Sequence, residues 1–167
     1  MTKLFCYVID HHGDPKLEKD ELILGWRKCA KLIRPYANTG DWIVATLGRN
    51  FGKKQQLWEY SDIAKYRDYW KYIVYAMKVT AIKEDSEKRI LISTNFGYFC
   101  PPIYIPQEFQ KFIKRGQGKT KFPRANNKIE DDELINSFEK WITEKKITEP
   151  KLSDSKKIQE SLCKPSC

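Results

Sequence analysis

Gly116-Gln117-Gly118-Lys119-Thr120 is the stretch of this sequence closest in type to a phosphate-handling loop. Glycines expose backbone N–H groups to an anion, and a lysine beside them supplies charge. A nucleotide-hydrolysing loop also requires a glycine at position 113, where Ile113 stands, and it follows a strand rather than a helix. The segment is therefore expected to cap a helix and run into a basic loop. In that loop Gly116, Gln117, Gly118, Lys119, Lys121 and Arg124 would contact phosphate without hydrolysing it. Trp42, Asn95, Phe96 and Tyr98 supply flat rings that stack on a nucleobase and an amide that bonds its polar edge, although aromatic residues on strands also fill cores. His11 and His12, with Asp10 or Asp14, are the candidates for proton transfer, yet nothing in the sequence orients them and a surface loop pair is the plainer reading.

The net charge is +9, and it is unevenly placed. Residues 1–125 hold 23 Lys+Arg against 13 Asp+Glu, whereas residues 126–167 hold 8 against 9. A basic excess of that kind favours a polyanionic partner, because neutralising phosphates releases their bound counterions. A generally basic, soluble surface produces the same count. The five cysteines (Cys6, Cys29, Cys100, Cys163 and Cys167) are odd in number and scattered. They form neither a disulfide framework nor the two close pairs of a zinc site, so reduced thiols, no metal and no cofactor are expected. No run approaches the ~18 apolar residues of a membrane helix, and the N-terminal residues do not read as a signal peptide. The expectation is a cytoplasmic protein with no membrane partner.

The elements that must hold these residues follow from periodicity. Leu4 to Ile9 and Trp42 to Leu47 read as buried strands, the second entered through the turn Asn38-Thr39-Gly40-Asp41. Residues 17–33 fit either a helix or an irregular strand. Ser61-Asp62 ahead of Ile63, Tyr66 and Tyr69 suggests a short capped helix within a polar, aromatic stretch. Tyr72 to Ile82 alternates as one long strand, residues 83–89 read as a charged loop, and Arg89 to Ser93 returns as a strand. Asn95 to Phe99 is an aromatic segment that Pro101-Pro102 is expected to break, and Pro106 suits the first position of a helix capped by Gly116. A last helix starting at Asn127 or Asp131 carries Leu134, Ile135, Phe138, Trp141 and Ile142 as one apolar stripe. Beyond Pro150 the composition is that of a flexible polar tail.

The order of strong elements resembles the PUA-like barrels, including the EVE and ASCH groups, which bind RNA or modified bases. Cys29-Ala30-Lys31-Leu32-Ile33-Arg34, Gly40-Asp41-Trp42-Ile43, Tyr75-Ala76-Met77-Lys78-Val79-Thr80, Leu91-Ile92-Ser93 with Asn95-Phe96 and Tyr98-Phe99, Ile105-Pro106 and Lys114-Arg115-Gly116-Gln117-Gly118 resemble the second nucleotide-modification-associated domain family. The likeness covers about residues 3–122. It implies an α+β fold: a PUA-like mixed β-barrel with flanking helices and a C-terminal helix. It also implies an association with DNA base modification. The family usually has an acidic residue and His where Thr94 and Asn95 stand, and His where Lys119 stands. Those departures remove groups suited to proton transfer and favour binding. The stretch 49–70 reads as an insertion.

The expected organisation is a PUA-like domain over 1–125, a C-terminal helix over 126–147 packed on it, and a flexible tail over 148–167. The leading expectation is a module that binds a nucleic acid or nucleotide and reads a modified base. An enzyme acting on a nucleobase through His11 or His12 with Asp10 or Asp14 is one alternative. A protein-interaction module that docks a partner through its C-terminal helix or tail is the other.

Overall fold

Alternation of apolar positions decides most of the architecture. The computed structural model describes residues 2–9, 15–25, 34–47, 71–85, 88–110 and 129–148. β1 (Leu4–Ile9) runs parallel to β4 (Trp42–Leu47), with Leu4 opposite Trp42. β4 pairs antiparallel with β5 (Tyr72–Lys78), and β5 with β8 (Asn95–Tyr104), which gives sheet A the order β1-β4-β5-β8. β2 (Lys16–Glu18), β3 (Glu21–Leu24), β6 (Ala81–Asp85) and β7 (Lys88–Ser93) form the antiparallel sheet B, in the order β2-β3-β7-β6.

Sheet A is apolar on both faces, because successive residues of its strands are apolar and point to opposite sides. Phe5, Ile43, Tyr75, Met77 and Tyr98 pack with Leu17, Leu22, Leu24 and Leu91 of sheet B. Leu4, Trp42, Val44, Ala76 and Phe99 pack with Ile135, Phe138 and Ile142 of α1 (Asp132–Thr148). The result is an α+β arrangement of three layers: sheet B, sheet A, helix. Val74 interrupts the alternation by sharing a face with its neighbour Tyr75, and the register shifts at that point, as an extra residue in a bulge requires.

α1 begins where the sequence provides a cap. The Leu134 N–H donates to Asp131 Oδ1 at 3.2 Å, with Asp132 and Glu133 in the first turn and Lys145 and Lys146 in the last, matching the helix dipole at both ends. The turn before β4 is fixed in a comparable way. Gly40 adopts φ +94, a conformation costly for any residue with a side chain, and the buried Asp41 carboxylate accepts from the Lys3 and Asn38 N–H groups at 2.9 and 2.8 Å.

Several expectations are corrected. The described strands form two open sheets and no closed barrel; sheet A buries its second face under α1, so it need not curl around a single core. The long strand expected over Tyr72 to Ile82 is two strands in different sheets. Val79 N–H still donates to Asp41 O in sheet A, whereas Thr80 N–H donates to Ile92 O in sheet B, so the chain changes sheets at that peptide. The charged segment read as a loop contributes Lys83 and Glu84 to strand β6, at an edge of sheet B where charge protects an open strand. Pro101-Pro102 does not end β8, because β8 is an edge strand and proline there costs no ladder bond on its open side. Of residues 17–33, which fitted either a helix or an irregular strand, 17–24 lie in the β2–β3 hairpin, and 26–33 lie outside the described residues. The insertion over 49–70, most of the helix expected after Pro106, and the tail lie outside the described residues.

Candidate nucleic-acid interface

A cross-strand row on the helix face of sheet A assembles two of the residues singled out in the sequence. Trp42 lies opposite Lys78, and Lys78 opposite Asn95, so the three line up across β4, β5 and β8. α1 clamps the row from above. Glu139 accepts from Trp42 Nε1 at 3.0 Å and from Lys78 Nζ at 3.3 Å, and two turns further along the helix Lys146 Nζ donates to Asn95 Oδ1. Glycine at 97 makes room for that reach. A Cβ there would lie 2.9 Å from Lys146 Cγ and 2.5 Å from Phe99 Cζ.

The chemistry of this row is hydrogen-bond donation. An ammonium group has no acceptor capacity, so the Asn95 atom facing Lys146 must be the carbonyl oxygen, and the amide N–H₂ is turned away from it. Asn95 is half-buried on an edge strand and therefore presents two fixed donors, the complement of an acceptor-bearing base edge. Trp42, in contrast, is fully buried and stands edge-on to Phe138 at 5.8 Å. It belongs to the helix-side core and offers no stacking face.

Strand parity sends the other two residues to the opposite side. Phe96 and Tyr98 face sheet B; Tyr98 stacks on Tyr75 with centroids 5.6 Å apart, and Tyr75 meets Tyr7 edge-on with their hydroxyls hydrogen-bonded. Tyr98 is buried and Phe96 half-buried. The expected cage is thus corrected: Trp42 with Asn95 and Phe96 with Tyr98 lie on two faces of one sheet and cannot enclose a common base. No family model, curated protein or solved structure matches this chain.

Charge divides more sharply than strands do. The described residues carry 12 Lys+Arg and 13 Asp+Glu, net −1, so +10 of the chain's charge belongs to the remaining segments. Residues 111–128 alone hold seven cations and no acid. That segment includes Gly116, Gln117, Gly118, Lys119, Lys121 and Arg124, which lie outside the described residues, as do His11, His12 and Asp14. Its two flanks are described and fixed. Gln110 is buried with Nε2 donating to Ile105 O at 2.6 Å, and Ile129 exchanges two 2.9 Å backbone bonds with Leu4 on the edge of sheet A.

Sequence reasoning missed Lys78, Glu139 and Lys146. Glu139 and Lys146 are seven residues apart, two helical turns, and hence on one face with Ile142. That spacing was legible; which strand they would meet was not. The same layer contains Cys6, whose thiol burial pushes up to about 12 from an ordinary 9.0. A raised thiol pKa means that stability is complete below the unfolded value and is lost as pH rises from about 9 towards about 12. Cys6→Ala is expected to flatten that alkaline limb. An unchanged limb in pH-dependent denaturant melts would show that other groups set it.

Proposed function

We propose that this protein is a nucleic-acid or nucleotide binding module that reads a modified base, in keeping with its resemblance to PUA-like, nucleotide-modification-associated domains. The observation that carries the reading is the partition of charge: a framework of net −1 holds a segment of seven cations and no acid at both of its ends. Phosphate contacts supply affinity without sequence information, and base-edge contacts supply discrimination. The 111–128 segment takes the first role. Asn95 takes the second, its amide oriented by Lys146.

The test separates the two roles. Fluorescence anisotropy with labelled duplex and single-stranded oligonucleotides, with and without a modified base, is expected to show Lys119→Ala weakening every ligand about equally. Asn95→Ala is expected to reduce only the preference for the cognate base, by ~0.5–1.5 kcal/mol, the net worth of a donated hydrogen bond. Equal losses from both changes on cognate and random ligands would remove the base-reading role and leave a basic surface.

A further inference from the structure

Asn95 is held so that only one half of its amide is free. One hydroxyl pins both polar atoms of its backbone: the Asn95 N–H donates to Ser93 Oγ at 3.0 Å, and Ser93 Oγ donates to Asn95 O at 2.8 Å. The preceding Thr94 N–H donates to Thr80 Oγ1 at 3.0 Å, which ties the same corner to the point where the chain changes sheets. The side chain is fixed from above by the Lys146 ammonium on Oδ1. Among the described residues nothing accepts from the amide nitrogen Nδ2, and it is not one of the buried unpartnered atoms, so solvent reaches it. The row around it is open as well: the side chains of Lys78 and Glu139 are 30 % and 37 % exposed, and Thr94 is exposed. A ligand therefore meets Nδ2 from the solvent side of an edge strand.

What it meets there is one-sided in polarity. Trp42 Nε1, Lys78 Nζ and Lys146 Nζ are donors, and the Glu139 carboxylate is spent on the first two. Left to itself, an asparagine amide serves either polarity, because a half-turn about its last bond exchanges oxygen for nitrogen. Lys146 removes that freedom, since a turned amide would set its N–H₂ against an ammonium with no acceptor between them. Uracil, thymine, guanine and hypoxanthine carry an exocyclic oxygen where cytosine and adenine carry an amino group. The first class offers Nδ2 an acceptor at that position. The second sets a donor against a donor.

We propose that Asn95, with its amide set by Lys146, selects bases that carry an exocyclic oxygen over those that carry an amino group in the same position. The inference rests on the base-reading role of Asn95 proposed above and adds to it the class of base; Lys146 acts as the positioning residue. Single-stranded oligonucleotides that differ in one central base, uracil against cytosine and hypoxanthine against adenine, carry identical phosphates. The ratio of their dissociation constants with the full chain thus cancels the electrostatic part of binding. The unaltered protein is expected to favour uracil and hypoxanthine by roughly three- to tenfold, the net worth of one hydrogen bond at a site where water competes. Asn95→Asp has the same shape and puts an acceptor where Nδ2 stood, so the preference is expected to invert. Lys146→Met keeps the stem over Gly97 and frees the amide to turn, so the two classes are expected to bind alike. A contact that only braced α1 would change affinity or melting temperature and leave the ratio alone. In the ¹⁵N spectrum of the unaltered protein, the Asn95 N–H₂ pair is expected to shift with uridine and to stay in place with cytidine at equal concentration. A ratio near one in the unaltered protein, or an N–H₂ pair that answers both nucleosides alike, overturns the proposal even where the variants fail to fold. Oligonucleotide binding with a base preference that ignores the division between oxygen and amino group would sink this inference and leave the function proposed above standing. A uridine-specific shift in a protein that binds no oligonucleotide would support the selection and sink the nucleic-acid reading alone.

Discussion

Phe138→Ala is expected to lower stability by about 3–5 kcal/mol, the cost of emptying a fully packed aromatic site. Phe138 sits at the centre of the helix-side core, edge-on to Trp42 at 5.8 Å and to Phe109 at 5.6 Å, with Trp141 at 5.8 Å on its own helix. Removing it deprives three rings of a partner at once. Against a typical total of ~5–15 kcal/mol the loss is large, and for a chain of this length it corresponds to a fall in melting temperature of roughly 6–20 °C. The helix cannot simply peel away and leave the sheets intact, because Leu4, Val44, Ile73, Ala76 and Phe99 would then face water. A single cooperative transition at lower temperature is therefore expected by circular dichroism and by tryptophan fluorescence together. Two separated transitions, or a melting temperature within about 2 °C of the unaltered protein, would show that α1 contributes little to the fold.

The residues that make this core were legible in the sequence as a stripe, and so were the limits of β1 and β4, whose apolar runs end at polar or glycine-containing segments. What could not be read was the pairing between elements. The residues Tyr72 to Ile82 alternate well enough to read as one strand, yet Val79 and Thr80 bond to different sheets, a choice made by Asp41 and Ile92 from distant parts of the chain. The candidate site suffered for the same reason. Parity within β8 separates Asn95 from Phe96, but only the register of β4, β5 and β8 reveals that Trp42, Lys78 and Asn95 form one row under Glu139 and Lys146. Composition likewise gave the charge of the chain without its distribution: the acids of residues 129–148 and of the β2–β3 hairpin offset the framework's cations, which leaves the remaining segments, taken together, basic.

Salt dependence is where the basic segment should have its largest measurable effect. If all seven cations of residues 111–128 meet duplex phosphates, the logarithm of the binding constant should fall with the logarithm of salt concentration with a slope of about −6. Affinity would then drop by roughly 10³–10⁴ between 50 and 200 mM salt. Replacing Lys119, Lys121 and Arg124 together by glutamine is expected to make the slope shallower by about 3, since each phosphate left without its cation keeps its share of bound counterions. Stability should hardly change, because the segment's flanks are tied by Gln110 to Ile105 and by Ile129 to Leu4, and none of those bonds involves the three cations. Lys83 and Lys140 are exposed cations on the framework and serve as the control: changing both to glutamine should leave the slope where it was. The comparison is informative because both variants reduce net charge, so a long-range field acting on the whole molecule would move both slopes in proportion to charge removed. A loss confined to the 119–124 variant instead identifies direct engagement of phosphate. Equal small changes in the two, or an affinity flat across the salt range, would take the 111–128 segment out of the interface.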